Sequence, residues 1–457
     1  MYKVKRAENL NEAFKNFRAD PLLTEEEFRV FYVKRELMAM KMLSADLKNS
    51  ESRDKFLMVG YRGSGKSTEL RRLYLEMEKE GDFQPVLLDI ERDLKFAVND
   101  LEIAELLAYV SLKLAEVSEE KGVKVDEHIK EELEDFVLNP IQDVAKEKTK
   151  SFSFGIKLIS VEASVRNVLR KQFVERSIAL VSLIDKLVED IERGMNKPLV
   201  LFLDGTDKMA IEKAENLFTS QIQYLVMPVV RLVLLCPVAI IRHKVLGPTV
   251  SANFTNKYEI AQFAVWKKSV NFIKQDYTEV VNEILNTLEF QKIDDVLGSE
   301  NNFNEAGFGK FLEYKGFRFY YEVAKKRMDL NLIEPQALTK LIIGTGKLSE
   351  FIAATRNAIS IARAESDSKV KLAHVESALV EQRTLYEDSL SIDDMKLILD
   401  VHQKKDTFHK DEEFSRSRNL LYLNHIIRVH AGNNDFWDEA DPLFFPLMKK
   451  WKKQTKS

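Results

Sequence analysis

This chain of 457 residues contains one cysteine, Cys236, so no disulfide can form within it and no thiolate cluster can hold zinc. A single thiol in an apolar setting fits a reducing cytosol. Charge of one sign is not in excess either. Lys and Arg number 69 and Asp and Glu 73, leaving a net charge of −4. Bulk binding of polyanions through net charge is excluded, while a local basic patch stays open. The longest apolar runs, near 225–241, are interrupted by Arg231 and two prolines. No stretch of about 20 residues could span a bilayer, so no membrane partner is expected. The opening residues, MYKVKRAENLNEAF, lack the apolar core of a signal peptide, and a cytoplasmic location is expected. No repeat and no low-complexity tract is visible. The 7 histidines show no metal spacing, and no Ser-His-Asp or Cys-His set stands out.

What is present is ordinary for a globular protein: 45% hydrophobic and 31% charged residues. The length suggests about three domains. Residues 1–50 read as a helical lead-in, with Val33, Leu37, Met40, Leu43 and Leu47 at helical spacing. Short, continuously apolar strands follow: KFLMVG to Gly60, PVLLDI (85–90), LVLFLD (199–204), RLVLLC (231–236) and YEIAQF (258–263). Helical patterns separate them, which argues for α/β architecture, a parallel sheet with helices on both faces. A charged and helical insertion is expected at about 118–195. Within it, SFSFGIKLISV (151–161) alternates like a strand or hairpin, and a long helix covers about 165–193. A further helix is expected over about 210–226. The core is read as 51–275. Helices dominate 276–384. Residues 385–457 read as helices followed by a hairpin around Gly432-Asn433-Asn434, as in a small winged-helix domain.

Gly60-Tyr61-Arg62-Gly63-Ser64-Gly65-Lys66-Ser67 matches G-x-x-x-x-G-K-[ST] at every fixed position. It follows an apolar strand and opens a helix, as the mechanism requires. Glycines let backbone N–H groups point at phosphate oxygens, and the helix N-terminus adds partial positive charge. Gly60, Arg62, Gly63, Ser64, Gly65, Lys66, Ser67 and Thr68 are thus the candidate nucleotide-binding residues. Lys66 is expected on the β- and γ-phosphates of ATP, and Ser67 on Mg²⁺. Asp204 ends a buried strand, in position to hold Mg²⁺, with capping of the next helix as the alternative. The residue after it is Gly205, where many related ATPases carry a Glu that polarises water. Asp207 is the nearest replacement, with a helix cap as the alternative. Slow hydrolysis, or nucleotide used as a switch, follows. The candidate catalytic set is Lys66, Asp204 and Asp207, with Ser67 and Asp204 on the metal. RLVLLC is expected to lie between the phosphate-loop strand and the acidic strand. Its Cys236 is read as packing in preference to a γ-phosphate sensor. Arg242 and His243 read as surface positions.

YRGSGKSTEL, LVLFLDGTDK and a strand ending Cys-Pro together resemble bacterial P-loop ATPases of the AAA+/STAND type, nearest to origin-recognition-type AAA+ ATPases. Residues 326–365 and 373–380 are similar to their helical lid, and 434–447 to the end of their winged helix. That resemblance implies an ATP hydrolase with a P-loop core, an all-helical lid and a C-terminal winged helix. Two departures stand out. Ser349 occupies the place of a lid arginine that touches the γ-phosphate, with Arg356 two turns on and suited to helix packing. DGxD in place of DE is nearer to STAND switches than to motors. Bacterial members of this group often act in phage defence or with mobile elements. A protein partner or self-assembly is implied, and Arg327 is a weak candidate for an arginine acting across protomers. Three readings stay open: a regulatory ATPase, an ATP-gated DNA-binding initiator or loader, and a nucleotide-bound scaffold without useful hydrolysis. Gly344-Thr345-Gly346 reads as a flexible hinge. Arg416, Arg418, Arg428 and the tail KKWKKQTK could meet DNA, although the tail reads better as a frayed terminus.

Overall fold

The computed structural model describes residues 4–140, 151–266, 268, 270–287, 315–407, 414–430 and 436–455. The chain divides into two compact units. One comprises 37–62 and 66–260, and the other 1–36, 63–65 and 261–457.

The first unit is built on a parallel sheet of β1 (Lys55–Gly60), β2 (Gln84–Asp89), β3 (Leu199–Asp204), β4 (Arg231–Pro237) and β5 (Asn256–Ile260). Strand order is β2-β3-β4-β1-β5. All residues of β1, β3 and β4 are buried, which is why their sequences run apolar without alternation. β4 does lie between β1 and β3, as expected, with Val59 opposite Cys236. On one face, Phe56, Met58, Phe202 and Val233 pack with Leu70, Leu73 and Met77 of the helix Lys66–Glu80 and with Leu43 and Leu47 of the helix Met38–Lys48. The long helix Ala163–Met195, helical as expected apart from a kink at Arg176, packs with the helix Ile103–Glu120.

Three local expectations fail. Residues 151–161 form a helix, Phe152–Val161, capped by Ser151. Its Ile156 and Ile159 are buried, and Gly155 lets it approach Leu112 and Leu138 to within van der Waals range. Burial against a helix therefore outweighs the short alternation. The expected helix over 210–226 is two, Ile211–Phe218 and Ile222–Val226. YEIAQF is not one strand: β5 ends at Ile260, and β6 (Gln262–Phe263) belongs to a different sheet.

In the second unit, β6 pairs in parallel with β7 (Ile426–His430), which pairs antiparallel with β8 (Phe436–Ala440). The Gly432-Asn433-Asn434 turn lies outside the described residues. The lead-in helix is interrupted: Glu25–Phe31 is helical, and extended backbone at Tyr32 and Leu37 precedes the helix at Met38. The helices Pro335–Gly344, Leu348–Ala364 and Leu372–Glu387 pack on one another. Arg356 does serve packing, its guanidinium 4.4 Å from the centre of the Phe14 ring.

The expected hinge is not free. A Cβ at Gly346 would fall 2.4 Å from Pro442 Cδ, and one at Gly344 2.9 Å from Leu379 Cδ1, while Thr345 is buried. These residues are small because neighbours crowd them. Nor is the lysine-rich tail frayed: Met448–Gln454 is a helix anchored by the fully buried Trp451, with Lys449 on Asp276 and Lys450 on Glu387. Among the described residues, no helix is long and apolar enough to cross a membrane.

Candidate nucleotide-binding site

β1 delivers the chain to Gly60, and Lys66 opens the following helix. Between them Gly63 and Gly65 take φ of +77° and +88°, a region where any other residue is strained. Ser64 is fully buried, and its Oγ has no hydrogen-bond partner among the described residues. Thr68 lies half-buried in the first turn of the helix. The Arg62 side chain turns toward the acidic strand's loop, where Nε donates to the Asp207 carbonyl at 3.2 Å and Nη2 to the Met209 carbonyl at 3.2 Å.

The acidic end of β3 meets this loop. The Ser67 hydroxyl donates to Asp204 Oδ1 at 2.8 Å. Burial pushes the Asp204 carboxyl up to about 6, Asp207 adds to that, and Lys208, Ser67 and Arg71 oppose it. Lys66 Nζ lies 2.7 Å from Asp207 Oδ2 and also donates to the carbonyls of Gly60 at 2.8 Å and Tyr61 at 2.7 Å. Burial by itself would raise the Asp207 carboxyl, but Lys66 outweighs it and holds it below the usual carboxylate range. The helix-cap reading of Asp207 gives way to this pair: Asp207 lies inside a short 3-10 turn, Thr206–Lys208.

Gly205 has φ +98°, and a Cβ there would meet the Glu91 nitrogen at 3.1 Å. A Glu at this position would be strained and crowded. Cys236 is fully buried, its thiol donates to the Pro237 carbonyl at 3.6 Å, and burial pushes its pKa well up. It packs, as expected. His243 is half-buried and has a local task, accepting from Val245 and Leu246 N–H at 3.2 and 3.1 Å where the next helix begins. Arg327 is buried, with its guanidinium over the Phe31 ring at 5.3 Å.

Three residues escape sequence reading. Arg71 reaches both Asp89, in a short ion pair, and Asp204, at 3.6 Å. Its signal was its position four residues after Ser67, one turn along the same face. Asp89 ends β2 as Asp204 ends β3, directly opposite it in register. Arg35, within the other unit, donates to the Ser64 carbonyl at 2.8 Å and lies over the Phe319 ring. Read as part of a continuous helix, it carried no signal. In that same unit Ser349 N–H donates to the Gly63 carbonyl at 3.3 Å, so this position does sit on the phosphate loop, through its backbone.

The donor set fits Mg²⁺ and a phosphate chain. Ser67 and Asp204 offer hard oxygens side by side, and the buried Ser64 Oγ and Asp207 Oδ1 lack partners among the described residues. Elsewhere, among the described residues, Glu365, Asp367 and His374 bring three ligand atoms within 4.8 Å of one another. His374 Nδ1 accepts the Lys371 N–H at 3.0 Å, so Nε2 carries the proton and donates to Glu365 and Asp367. That nitrogen is a donor, and the group is a hydrogen-bonded cap.

A glycine-rich loop between a buried strand and a helix, facing a carboxylate two strands away in a parallel sheet, defines a P-loop fold. No family model matches the chain, and no curated protein matches it. Among solved structures it is similar to a Walker-type ATPase of Pyrococcus abyssi, at 12% identity and a TM-score of 0.42, over 95% of this chain and 99% of that one. It is also similar to the Aeropyrum pernix ORC1 protein in complex with DNA, at 12% identity and 0.40, over 99% and 100%. For Drosophila ORC bound to DNA the values are 11% and 0.36, over 98% and 93%. At such scores the likeness carries no argument, and the fold stands on strand order and loop geometry.

Proposed function

We propose that this chain is a regulatory ATPase of the P-loop AAA+ type, coupling Mg·ATP binding and slow hydrolysis to a change of conformation or assembly. The observation that carries this reading is the Ser67–Asp204 hydrogen bond beside Lys66, at the mouth of the glycine loop. Gly60, Arg62, Gly63, Ser64, Gly65 and Thr68 frame the phosphates, Lys66 takes the β/γ-phosphate oxygens, and Ser67 and Asp204 hold the metal. Mg²⁺, when bound, supplies positive charge to the phosphates. Asp207 is the carboxylate available to orient water. Slow turnover follows from Gly205, which leaves the residue after Asp204 without a side chain.

The helices of 276–384 support a lid, and the helix Ile392–Lys404, the β7–β8 pair and the closing helix support a winged-helix-like domain over 385–457. DGxD supports a STAND-like signalling role with a protein partner, as in bacterial defence. ATP-gated DNA binding draws less support, since Arg416 already faces Asp393 at 3.0 Å and Asp394 at 3.5 Å. Calorimetry is the test. Wild type is expected to bind Mg·ATP and Lys66→Ala to lose most of that affinity; unchanged affinity in the variant would remove the site assignment.

A further inference from the structure

We propose that the Lys66–Asp207 ion pair is a latch, one that nucleotide phosphates must open before Lys66 can hold them. The proposal rests on the phosphate-binding reading of the loop and adds a regulatory step to it.

An ammonium group has three N–H donors. At Lys66 all three have oxygen partners within 2.8 Å: the Gly60 and Tyr61 carbonyls and Asp207 Oδ2. The side chains of Lys66 and Asp207 are 2% and 3% exposed, so water does not compete for the pair. A phosphate oxygen can engage Lys66 only if one of these partners gives way. The two carbonyls belong to the loop backbone. Asp207 is the partner that can move alone, because its backbone and side chain are held differently. Its carbonyl is fixed by Arg62, the neighbouring Met209 carbonyl is fixed by the same guanidinium, and Thr206 Oγ1 donates to the Leu235 carbonyl. The carboxylate, by contrast, has among the described residues only Lys66 on one oxygen and no hydrogen-bond partner on the other. A rotation of this side chain releases Lys66 without disturbing the strand ends.

Opening the latch has a second effect. Lys66 passes to the phosphates, and Asp207 is left as a free carboxylate three residues after the metal-facing Asp204. Binding of the triphosphate would therefore create the group that orients water, and Asp207 would stay paired with Lys66 until substrate is in place.

The latch predicts a gain of affinity from loss of an acid. Calorimetry with Mg·ATP on wild type, Asp207→Asn, Lys66→Met and the double variant forms a cycle. Asp207→Asn is expected to bind about 10-fold tighter, because one charged hydrogen bond no longer competes for Lys66, while its turnover falls. In the Lys66→Met background the same substitution is expected to change affinity by less than about 2-fold, since no latch remains. Unchanged or weaker binding by Asp207→Asn overturns the proposal. So does equal tightening in both backgrounds, which is plain charge repulsion between Asp207 and phosphate. Thermal melting checks each variant, and Asp207→Ser, which also frees Lys66, carries the same criterion if Asp207→Asn does not fold. Absence of Mg·ATP binding by wild type is a separate result and would remove the underlying reading of the loop.

Discussion

Gly205 takes a left-handed backbone conformation with Glu91 N and Ile90 Cβ close to where a side chain would start. Gly205→Glu is therefore expected to strain the end of β3, at about 1–2 kcal/mol for the φ alone. Restoring the acid by sequence analogy should lower the melting temperature and fail to speed turnover. Asp204→Asn is expected to cost on the order of 10²-fold in turnover, because it removes the carboxylate that Ser67 and Arg71 hold. Steady-state assays of wild type, Asp204→Asn and Asp207→Asn check the order, with Asp204 expected to matter more. A third residue sets pH behaviour away from the loop. Burial, with Lys347 adding to it, holds the His425 imidazole down to about 4 from an ordinary 6.5, and its Nδ1 has no partner among the described residues. The unfolded chain then binds a proton that the folded one refuses. Its contribution is intact above 6.5 and is lost as pH falls toward 4, at up to about 1.4 kcal/mol per pH unit. Urea unfolding of wild type against His425→Asn across pH 4–7 should show a steeper loss in wild type. Asp441 and Asp394 also face this group, and both are present in each protein.

Whole elements were legible where one period ruled and were misread where two competed. β1, β3 and β4 are buried on both faces, so their apolar runs could mean little else. Residues 151–161 begin with alternation, yet Leu158 and Ile159 are both buried on a helix that lies along Ile103–Glu120. A partner helix, invisible in a local window, decided it. Gly344 and Gly346 show the same limit: glycine read as freedom is, in the structure, close packing. Gly346→Ala is expected to destabilise by roughly 1–3 kcal/mol, because Pro442 and Ile427 leave no room for a methyl group. Gly344→Ala should cost less, since the atom it meets is the tip of the Leu379 side chain and alanine favours the helix. Denaturant midpoints of the two variants give the comparison.

Across the whole molecule, the proposed nucleotide switch would act through differential affinity, so ADP and a non-hydrolysable ATP analogue are expected to give different scattering profiles or sedimentation at saturation. Identical profiles with the native partner present would favour a passive scaffold. The sequence by itself determined the phosphate loop, the acidic strand end and the parallel sheet. Phosphate binding fixes residue types at fixed spacing, and two-sided burial fixes composition, so both are written locally. Only tertiary structure decided that Lys66 is held by Asp207, that Arg71 joins Asp89 to Asp204, and that Arg35 reaches the Ser64 carbonyl. Lys66 and Asp207 are 141 positions apart in the chain, Arg71 is 18 from Asp89 and 133 from Asp204, and Arg35 is 29 from Ser64. A pairing at such separations follows from how strands stack and where a helix breaks, and no local pattern of residues encodes it.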